Sequence, residues 1–255
     1  MKKGILVVSF GTSYEDTRVK CIDSVEKDIQ EAYPDHVVRR AFTSRMIIKK
    51  LKERDGIHID FPKEALEKMV DEGFEKIVVQ PLHIIPGFEY EKVRNEISML
   101  KHKTEIDIEL GMPLLYEEEH YDEVTDALLN YLPEERENQG VVLMGHGTEH
   151  YANACYSMLQ NKIREQRSDV YIANVEGYPE LENISDEILG RFSSMTLAPL
   201  MLVAGDHAIN DMAGEEDSYR SFLEENDISV HCILKGLGEN EAIRKIFVSR
   251  VGDMV

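Results

Sequence analysis

Short, continuous hydrophobic runs alternate with amphipathic stretches along the whole chain. The runs are rich in Val, Ile and Leu, which is typical of parallel strands buried on both faces. They predict strands at residues 4–10, 37–42, 76–79, 106–110, 141–144, 170–175, 195–200 and 228–234. Helices are predicted between and after them, at residues 17–33, 62–72, 90–100, 121–132, 151–167, 217–225 and 239–250. Regular alternation of strand and helix predicts an α/β fold with right-handed crossovers.

The hydrophobic pattern also repeats itself at long range. The segment GILVVSFGT at 4–12 returns as GVVLMGHGT at 140–148, and PLHIIPGFE at 81–89 returns as PLMLVAGDH at 199–207. Such an internal repeat indicates two copies of the same series of βα units. We therefore predict two related Rossmann-like halves with a cleft between them, each half a parallel sheet of about four strands flanked by helices.

The boundary between the halves is predicted in a polar, unpatterned stretch at 133–140. This gives an N-terminal half of residues 1–136 and a C-terminal half of residues 137–255. The last predicted helix, 239–250, is expected to cross back and pack on the first half. The first copy is longer than the second between its second and third strands, which indicates an insert at 44–61.

Differences between the copies suggest where the chemistry lies. The second copy has His146, Glu176 and His207, each just past the end of a predicted strand. Ligands of open α/β sheets bind outside the carboxyl ends of the strands. Two imidazoles and a carboxylate there can bind Co²⁺, Ni²⁺, Fe²⁺ or Zn²⁺. The alternative is that each residue is structural, with the histidines hydrogen-bonded in loops and Glu176 capping a helix.

The first copy has Phe10, Thr43 and Glu89 at the matching positions. These suit a metal ion less well, and a flat apolar ligand with polar edges better. The nearby insert at 44–61 carries a basic cluster, consisting of Arg45, Lys49, Lys50, Lys52 and Arg54. The cluster predicts either an anion-binding element or the solvated face of an amphipathic helix.

Composition and charge limit the kinds of molecule that the protein is expected to bind. The 255-residue chain has a formal net charge of −20, which disfavours nucleic acid and anionic membranes. We find no run of about 18 apolar residues and no secretory signal pattern, so a cytoplasmic location is expected. Three widely spaced cysteines imply no disulfide framework. No P-loop or GxGxxG motif is present, so no ATP or other nucleotide is expected. A homo-oligomer is compatible with the sequence, which does not fix the oligomeric state.

Several of these segments together resemble the anaerobic cobalt chelatase family. The residues that carry the resemblance are LVVSFGTSY at 6–14, AFTS at 41–44, LHII at 82–85, EYEK at 89–92, MGHG at 144–147 and PLMLVAGDHAINDM at 199–212. The resemblance runs essentially end to end. It implies a chelatase-like fold and an ATP-independent class II chelatase that inserts Co²⁺ into the tetrapyrrole sirohydrochlorin during anaerobic cobalamin biosynthesis.

The resemblance also implies roles for individual residues. His146, Glu176 and His207 are expected to bind the metal, and Glu89 to face it from the other half. His146, Glu89 and His207 are then the catalytic residues, with the pyrrole proton acceptor left open between His146 and Glu89. The residues expected to bind the tetrapyrrole are Phe10, Thr12, Ser13, Tyr14, Thr43, Arg45, Arg54 and Phe88.

Two alternatives remain at this point. One is the same fold acting as a ferrochelatase or nickel chelatase on a related ring, because two histidines and a carboxylate do not select among Fe²⁺, Co²⁺ and Ni²⁺. The other is a non-catalytic carrier of a tetrapyrrole or a metal. The preferred macrocycle is also open, because Pro86 and Phe88 alter the expected pocket.

Overall fold

A computed structural model describes residues 2–255 as two four-stranded parallel sheets. The first has the order β2-β1-β3-β4 and the second has the equivalent order β6-β5-β7-β8, which confirms the predicted α/β fold and its duplication. The strands are β1 (Lys3–Ser9), β2 (Val37–Phe42), β3 (Lys76–Pro81), β4 (Asp107–Leu110), β5 (Gln139–Gly147), β6 (Val170–Glu176), β7 (Ser194–Pro199) and β8 (Ser229–Cys232).

Helices connect the parallel strands. They are α1 (Glu15–Thr17), α2 (Ser24–Ala32), α3 (Arg45–Asp55), α4 (Pro62–Asp71), α5 (Phe88–Lys101), α6 (Glu118–Leu129), α7 (Ala154–Gln166), α8 (Leu181–Ile188), α9 (Tyr219–Glu225) and α10 (Glu241–Gly252). Two π-helical turns, Arg18–Asp23 and Ala208–Met212, add to them. Within residues 2–255, no helix is both long and apolar enough to cross a membrane.

The chain forms two compact units. Unit 1 comprises residues 1–116 and 241–255, and unit 2 comprises residues 117–240. In unit 1, α10 packs on α2, and Arg244 Nε lies 2.6 Å from Asp28 Oδ2. In unit 2, α6 packs on α7, with Lys162 Nζ 2.9 Å from Asp122 Oδ1. Helix α6 therefore belongs with the second sheet, although it precedes the polar stretch at 133–140.

The central strand of each sheet is buried on both faces. Ile5 to Val8 of β1 and Val141 to Met144 of β5 are at most 2% exposed. Burying such aliphatic side chains contributes roughly 1.5–3 kcal/mol each, which is why continuous Val/Ile/Leu runs become strands here.

The strand order determines where each unit can bind a ligand. In each sheet the order reverses beside the central strand, between β1 and β3 and between β5 and β7. The crevice outside the carboxyl ends of such a strand pair is the usual ligand site of an open α/β sheet. Phe10 and His83 follow β1 and β3, whereas His146 is the penultimate residue of β5 and His207 follows β7.

Candidate active site

His146 is held at the exposed end of the buried central strand β5. Its Nδ1 lies 3.0 Å from the carbonyl oxygen of Gly147. A carbonyl oxygen can only accept, so Nδ1 carries the proton and donates. The lone pair of Nε2 is therefore left for a ligand.

Gly147 allows this strand end to form. Its φ is +75°, and a Cβ at this position would lie 1.6 Å from the carbonyl oxygen of Glu176. Residue 147 is paired in register with Glu176 of β6. Only glycine fits both the left-handed conformation and the close approach of the two strands.

His207 is the second imidazole at this edge and precedes the π-helical turn Ala208–Met212. Its Nδ1 lies 2.7 Å from Asp211 Oδ2, and the carboxylate accepts the hydrogen bond. The Nε2 atom of His207 is therefore also left with a free lone pair. A carboxylate behind an imidazole is the usual arrangement around metal-ligating histidines.

The structure brings His146 and His207 together. Their ring centroids lie 4.7 Å apart with an interplanar angle of 86°. With both Nδ1 atoms engaged in hydrogen bonds, the Nε2 atoms of this pair are the ligands that neutral imidazoles offer to divalent transition metals.

Glu176 is not part of a preformed cluster. It is the exposed last residue of β6. Among residues 2–255, no group of three or more His, Cys, Asp or Glu side chains is arranged to hold a metal ion. The role of Glu176 as a third ligand stays a prediction, and it requires its exposed side chain to turn toward the histidines.

Glu89 lies in the first turn of α5 in unit 1. Its Oε1 forms an ion pair with Lys92 Nζ. Its Oε2 is buried and has no hydrogen-bond partner within residues 2–255. A buried carboxylate oxygen without a partner is costly, and it is a suitable acceptor for a proton from a bound molecule.

His83 was not among the predicted site residues, but it follows the same strand as Glu89. Both of its ring nitrogens are buried and lack hydrogen-bond partners within the described chain. Burial lowers the pKa of His83 to about 4, and the nearby charge of Glu89 opposes this only in part. The duplication contained a signal for it, because the second copy has Met201 where the first has His83.

Three of the predicted tetrapyrrole-binding residues are exposed aromatic side chains of unit 1. Phe10 is 48% exposed, Tyr14 37% and Phe88 52%. Large aromatic surfaces left in water are typical of sites that receive an apolar ligand. Their exposure is consistent with the predicted contact with a flat ring.

The small polar residues of the predicted binding set lie beside the ends of β1 and β2. Thr12, Ser13 and Thr43 are all buried. The backbone N–H of Thr43 donates to the Ser9 carbonyl oxygen at 2.9 Å. The hydroxyl of Thr43 is buried without a partner within residues 2–255. It is the member of this trio best placed to bond a ligand.

The basic insert forms the amphipathic helix α3, and two of its arginines already have contacts. The Arg45 guanidinium stacks 4.2 Å from the centre of the Phe61 ring. Arg54 forms a bidentate ion pair with Asp55, in which the Nε–Oδ1 and Nη2–Oδ2 distances are both 2.7 Å. Arg54 also donates to the Ser13 carbonyl oxygen at 2.5 Å. Its positive charge is thus partly neutralised, so an anionic ligand must compete with Asp55.

Comparison with known proteins assigns the chain to a family. Residues 3–255 match the family model described as cobalt chelatase (CbiK). A sirohydrochlorin cobaltochelatase from Salmonella typhimurium is 44% identical over 253 residues, covering 98% of this chain and 96% of the relative. The sirohydrochlorin cobaltochelatase CbiKC from Nitratidesulfovibrio vulgaris is 32% identical over 258 residues, covering 98% and 89%.

Solved structures support the fold. SirB from Bacillus subtilis with Fe³⁺ matches with a TM-score of 0.68 at 17% identity, covering 99% of this chain and 95% of that one. The sirohydrochlorin chelatase SirB from Bacillus subtilis subspecies spizizenii in complex with cobalt has a TM-score of 0.64 at 16% identity, with the same coverage. From the full-length family match and the two curated relatives, this chain belongs to the cobalt chelatase (CbiK) family.

Proposed function

We propose that this protein inserts Co²⁺ into sirohydrochlorin without ATP. The observation that carries the proposal is the pair of adjacent imidazoles, His146 and His207, whose Nδ1 atoms are engaged and whose Nε2 atoms are left to bind an ion. Two curated relatives that match almost the full chain are named for the same reaction, which supports the choice of metal and ring.

The first step is capture of the metal substrate. His146 and His207 replace water molecules on Co²⁺ and hold the ion in a fixed direction. Glu176 is assigned as the third ligand, supplied by an exposed side chain at the end of β6. Binding requires neutral imidazoles, so loading with Co²⁺ weakens at low pH.

The second step removes two pyrrole N–H protons from the ring. We assign the acceptor role to Glu89 rather than His146. In His146 one nitrogen already carries a proton and the other is assigned to the metal, so neither can take a pyrrole proton at the same time. Glu89 Oε2, by contrast, is a buried acceptor without a partner in the described chain.

The tetrapyrrole is held by unit 1 in this proposal. Phe10, Tyr14 and Phe88 form apolar walls, and the hydroxyls of Thr12, Ser13 and Thr43 contact polar edges of the ring. Arg45 and Arg54 pair with the substrate carboxylates, a geometry that suits guanidinium groups. A site that binds a bent ring more tightly than a flat one lowers the barrier to insertion.

The cytoplasmic location and the oligomeric state stay predictions.

The test is a spectroscopic insertion assay. Purified protein is mixed with sirohydrochlorin and Co²⁺ without ATP, and the absorbance change is compared with a blank lacking protein. The proposal predicts acceleration that does not depend on added ATP. Parallel assays with Fe²⁺, Ni²⁺ and a porphyrin test the alternative ions and ring. A ring that binds tightly without any metal insertion would favour a carrier instead.

A further inference from the structure

An unexplained pair of polar side chains lies in one short connection of unit 1. His83 follows β3, and Glu89 lies in the first turn of α5. Three of their polar atoms are buried without a hydrogen-bond partner in residues 2–255, namely Nδ1 and Nε2 of His83 and Oε2 of Glu89. A buried polar atom that stays without a partner destabilises the fold, so the presence of three such atoms in one connection indicates a function.

The two side chains act on each other electrostatically. The negative charge of Glu89 raises the pKa of His83, against the larger lowering caused by burial. The other charge in contact with Glu89 is Lys92, which pairs with Oε1 and leaves Oε2 available. The backbone of His83 is fixed as well, because its carbonyl oxygen accepts from Leu114 N at 2.9 Å.

The position of the pair also points to a ligand. Both residues follow β3, which adjoins the central strand β1 where the strand order reverses. The second copy has Met201 in place of His83 and His207 in place of Glu89. Unit 2, which contains His146 and His207, therefore lacks a counterpart of the His83–Glu89 pair. Unit 1 contains that pair but has no histidine at the positions of His146 and His207. This division indicates that the two copies have different chemical roles.

We propose that His83 and Glu89 form a proton-accepting pair, in which Glu89 takes a pyrrole proton and His83 accepts the hydrogen bond of the resulting carboxyl group. The inference rests on the proposed function, since it names the partner through which Glu89 works. Glu89 is the catalytic residue of the pair, and His83 is its positioning residue.

The step balances as follows. A pyrrole N–H bond breaks and its electron pair stays on the nitrogen, which then binds Co²⁺. The proton forms an O–H bond at Glu89 Oε2, and this O–H donates to the unprotonated nitrogen of neutral His83. The proton is then released to bulk water, and the pair is ready for the second pyrrole proton.

The experiment measures kcat and KM for Co²⁺ insertion in four single variants and in the double variant that combines His83→Phe with Glu89→Gln. His83→Phe removes the acceptor nitrogen, and His83→Gln keeps an acceptor of similar reach. Glu89→Gln removes the proton acceptor itself. The matched control is His102→Phe, which makes the same change at an exposed position at the end of α5. Circular dichroism checks that each variant is folded.

A specific pattern is expected. His83→Phe lowers kcat about tenfold, because one hydrogen bond to the developing carboxyl group is lost. KM for sirohydrochlorin stays within about twofold, since the loss falls on the chemical step. His83→Gln recovers part of kcat, and His102→Phe matches the wild type. Adding His83→Phe to Glu89→Gln causes no further loss, because the two residues act as one unit.

Two results would overturn the inference. One is a His83→Phe enzyme as fast as His102→Phe. The other is a double variant whose loss is the product of the single losses, which would mean that the residues act independently.

A titration of the metal-free protein keeps the test separate from the proposed function. Imidazole ¹⁵N signals of His83 are followed against pH in the wild type and in Glu89→Gln. Loss of the carboxylate charge makes His83 harder to protonate if the two are coupled. An unchanged titration curve contradicts the pair. A wild type that inserts no cobalt, with the coupling intact, refutes the proposed function instead.

Discussion

Asp211 Oδ2 lies 2.7 Å from Nδ1 of His207, four residues earlier in the chain. This contact fixes which nitrogen of His207 is protonated and directs the other nitrogen outward. The same result is reached at His146 through a backbone carbonyl rather than a carboxylate. Of the two orienting contacts, only the one at His207 can be removed by a side-chain substitution.

Asp211→Asn tests this contact. The amide cannot supply the carboxylate charge behind His207, so Co²⁺ affinity is expected to fall about 10- to 100-fold. Isothermal titration with Co²⁺ measures it. Asp206→Asn is the matched control, since it makes the same change beside His207 at a carboxylate whose Oδ1 accepts from Asn210 Nδ2 at 3.1 Å. Equal affinities for the two variants would show that Asp211 does not support metal binding by His207.

The end of β5 depends on glycine. Gly147→Ala is expected to destabilise the fold by about 3 kcal/mol or more, because its Cβ meets the Glu176 carbonyl oxygen in addition to the left-handed strain. Gly190→Ala is the control, with φ of +81° and open space around the new Cβ. There only the left-handed conformation is penalised, by about 1–2 kcal/mol. Urea unfolding compares them, and similar losses would contradict the close approach of the strands.

The pKa of His83 makes stability depend on pH. Burial holds that pKa at about 4, whereas an unfolded chain protonates histidine near 6.5. Between these values the unfolded state binds more protons, so the free energy of unfolding falls as the pH drops from about 6.5 toward 4. This contribution is absent in His83→Gln.

Urea unfolding at pH 7 and pH 5 measures the effect. The wild type is expected to lose more stability over this interval than His83→Gln does. Burial also lowers the pKa of His36, but that group is present in both proteins and cancels in the comparison. Parallel losses in the two proteins would show that His83 is not buried in its neutral form.

Arg54 tests the predicted carboxylate site. Because Asp55 already pairs with its guanidinium, Arg54→Gln is expected to raise KM for sirohydrochlorin only about 3- to 10-fold, with kcat little changed. Steady-state kinetics measure the change. Lys52→Gln, two residues earlier on α3 and exposed, is the control. If KM is unchanged in Arg54→Gln, the arginine binds Asp55 of α3 and the Ser13 carbonyl oxygen rather than the substrate.

The sheets were predictable from sequence because their strands are buried on both faces and repeat. β2, for example, spans Val37–Phe42 as predicted. Helix α8 was missed, although Leu181, Ile184 and Ile188 lie on its buried face. The π-helical turn after His207 could not be predicted, because a search for a 3.6-residue period does not detect a wider turn.

The site was predictable to a different degree in each half. The strand ends of a parallel sheet predicted that His146 and His207 converge. Their rings lie adjacent in the structure, and their role as metal ligands stays a prediction. His83 could not be found in the same way, since its importance lies in the burial of both ring nitrogens. That burial depends on how α5 and the β3 connection pack, which no local pattern encodes.

The metal-binding role of His207 is tested by comparing the rates of Co²⁺ insertion into sirohydrochlorin by the wild type, His207→Ala and His231→Ala. His231 is exposed on β8 and serves as the control for loss of an imidazole in unit 2. If His207 binds the metal, His231→Ala inserts Co²⁺ at the wild-type rate and a folded His207→Ala gives no acceleration over the blank. A near-normal rate in His207→Ala would contradict the metal site proposed for this protein.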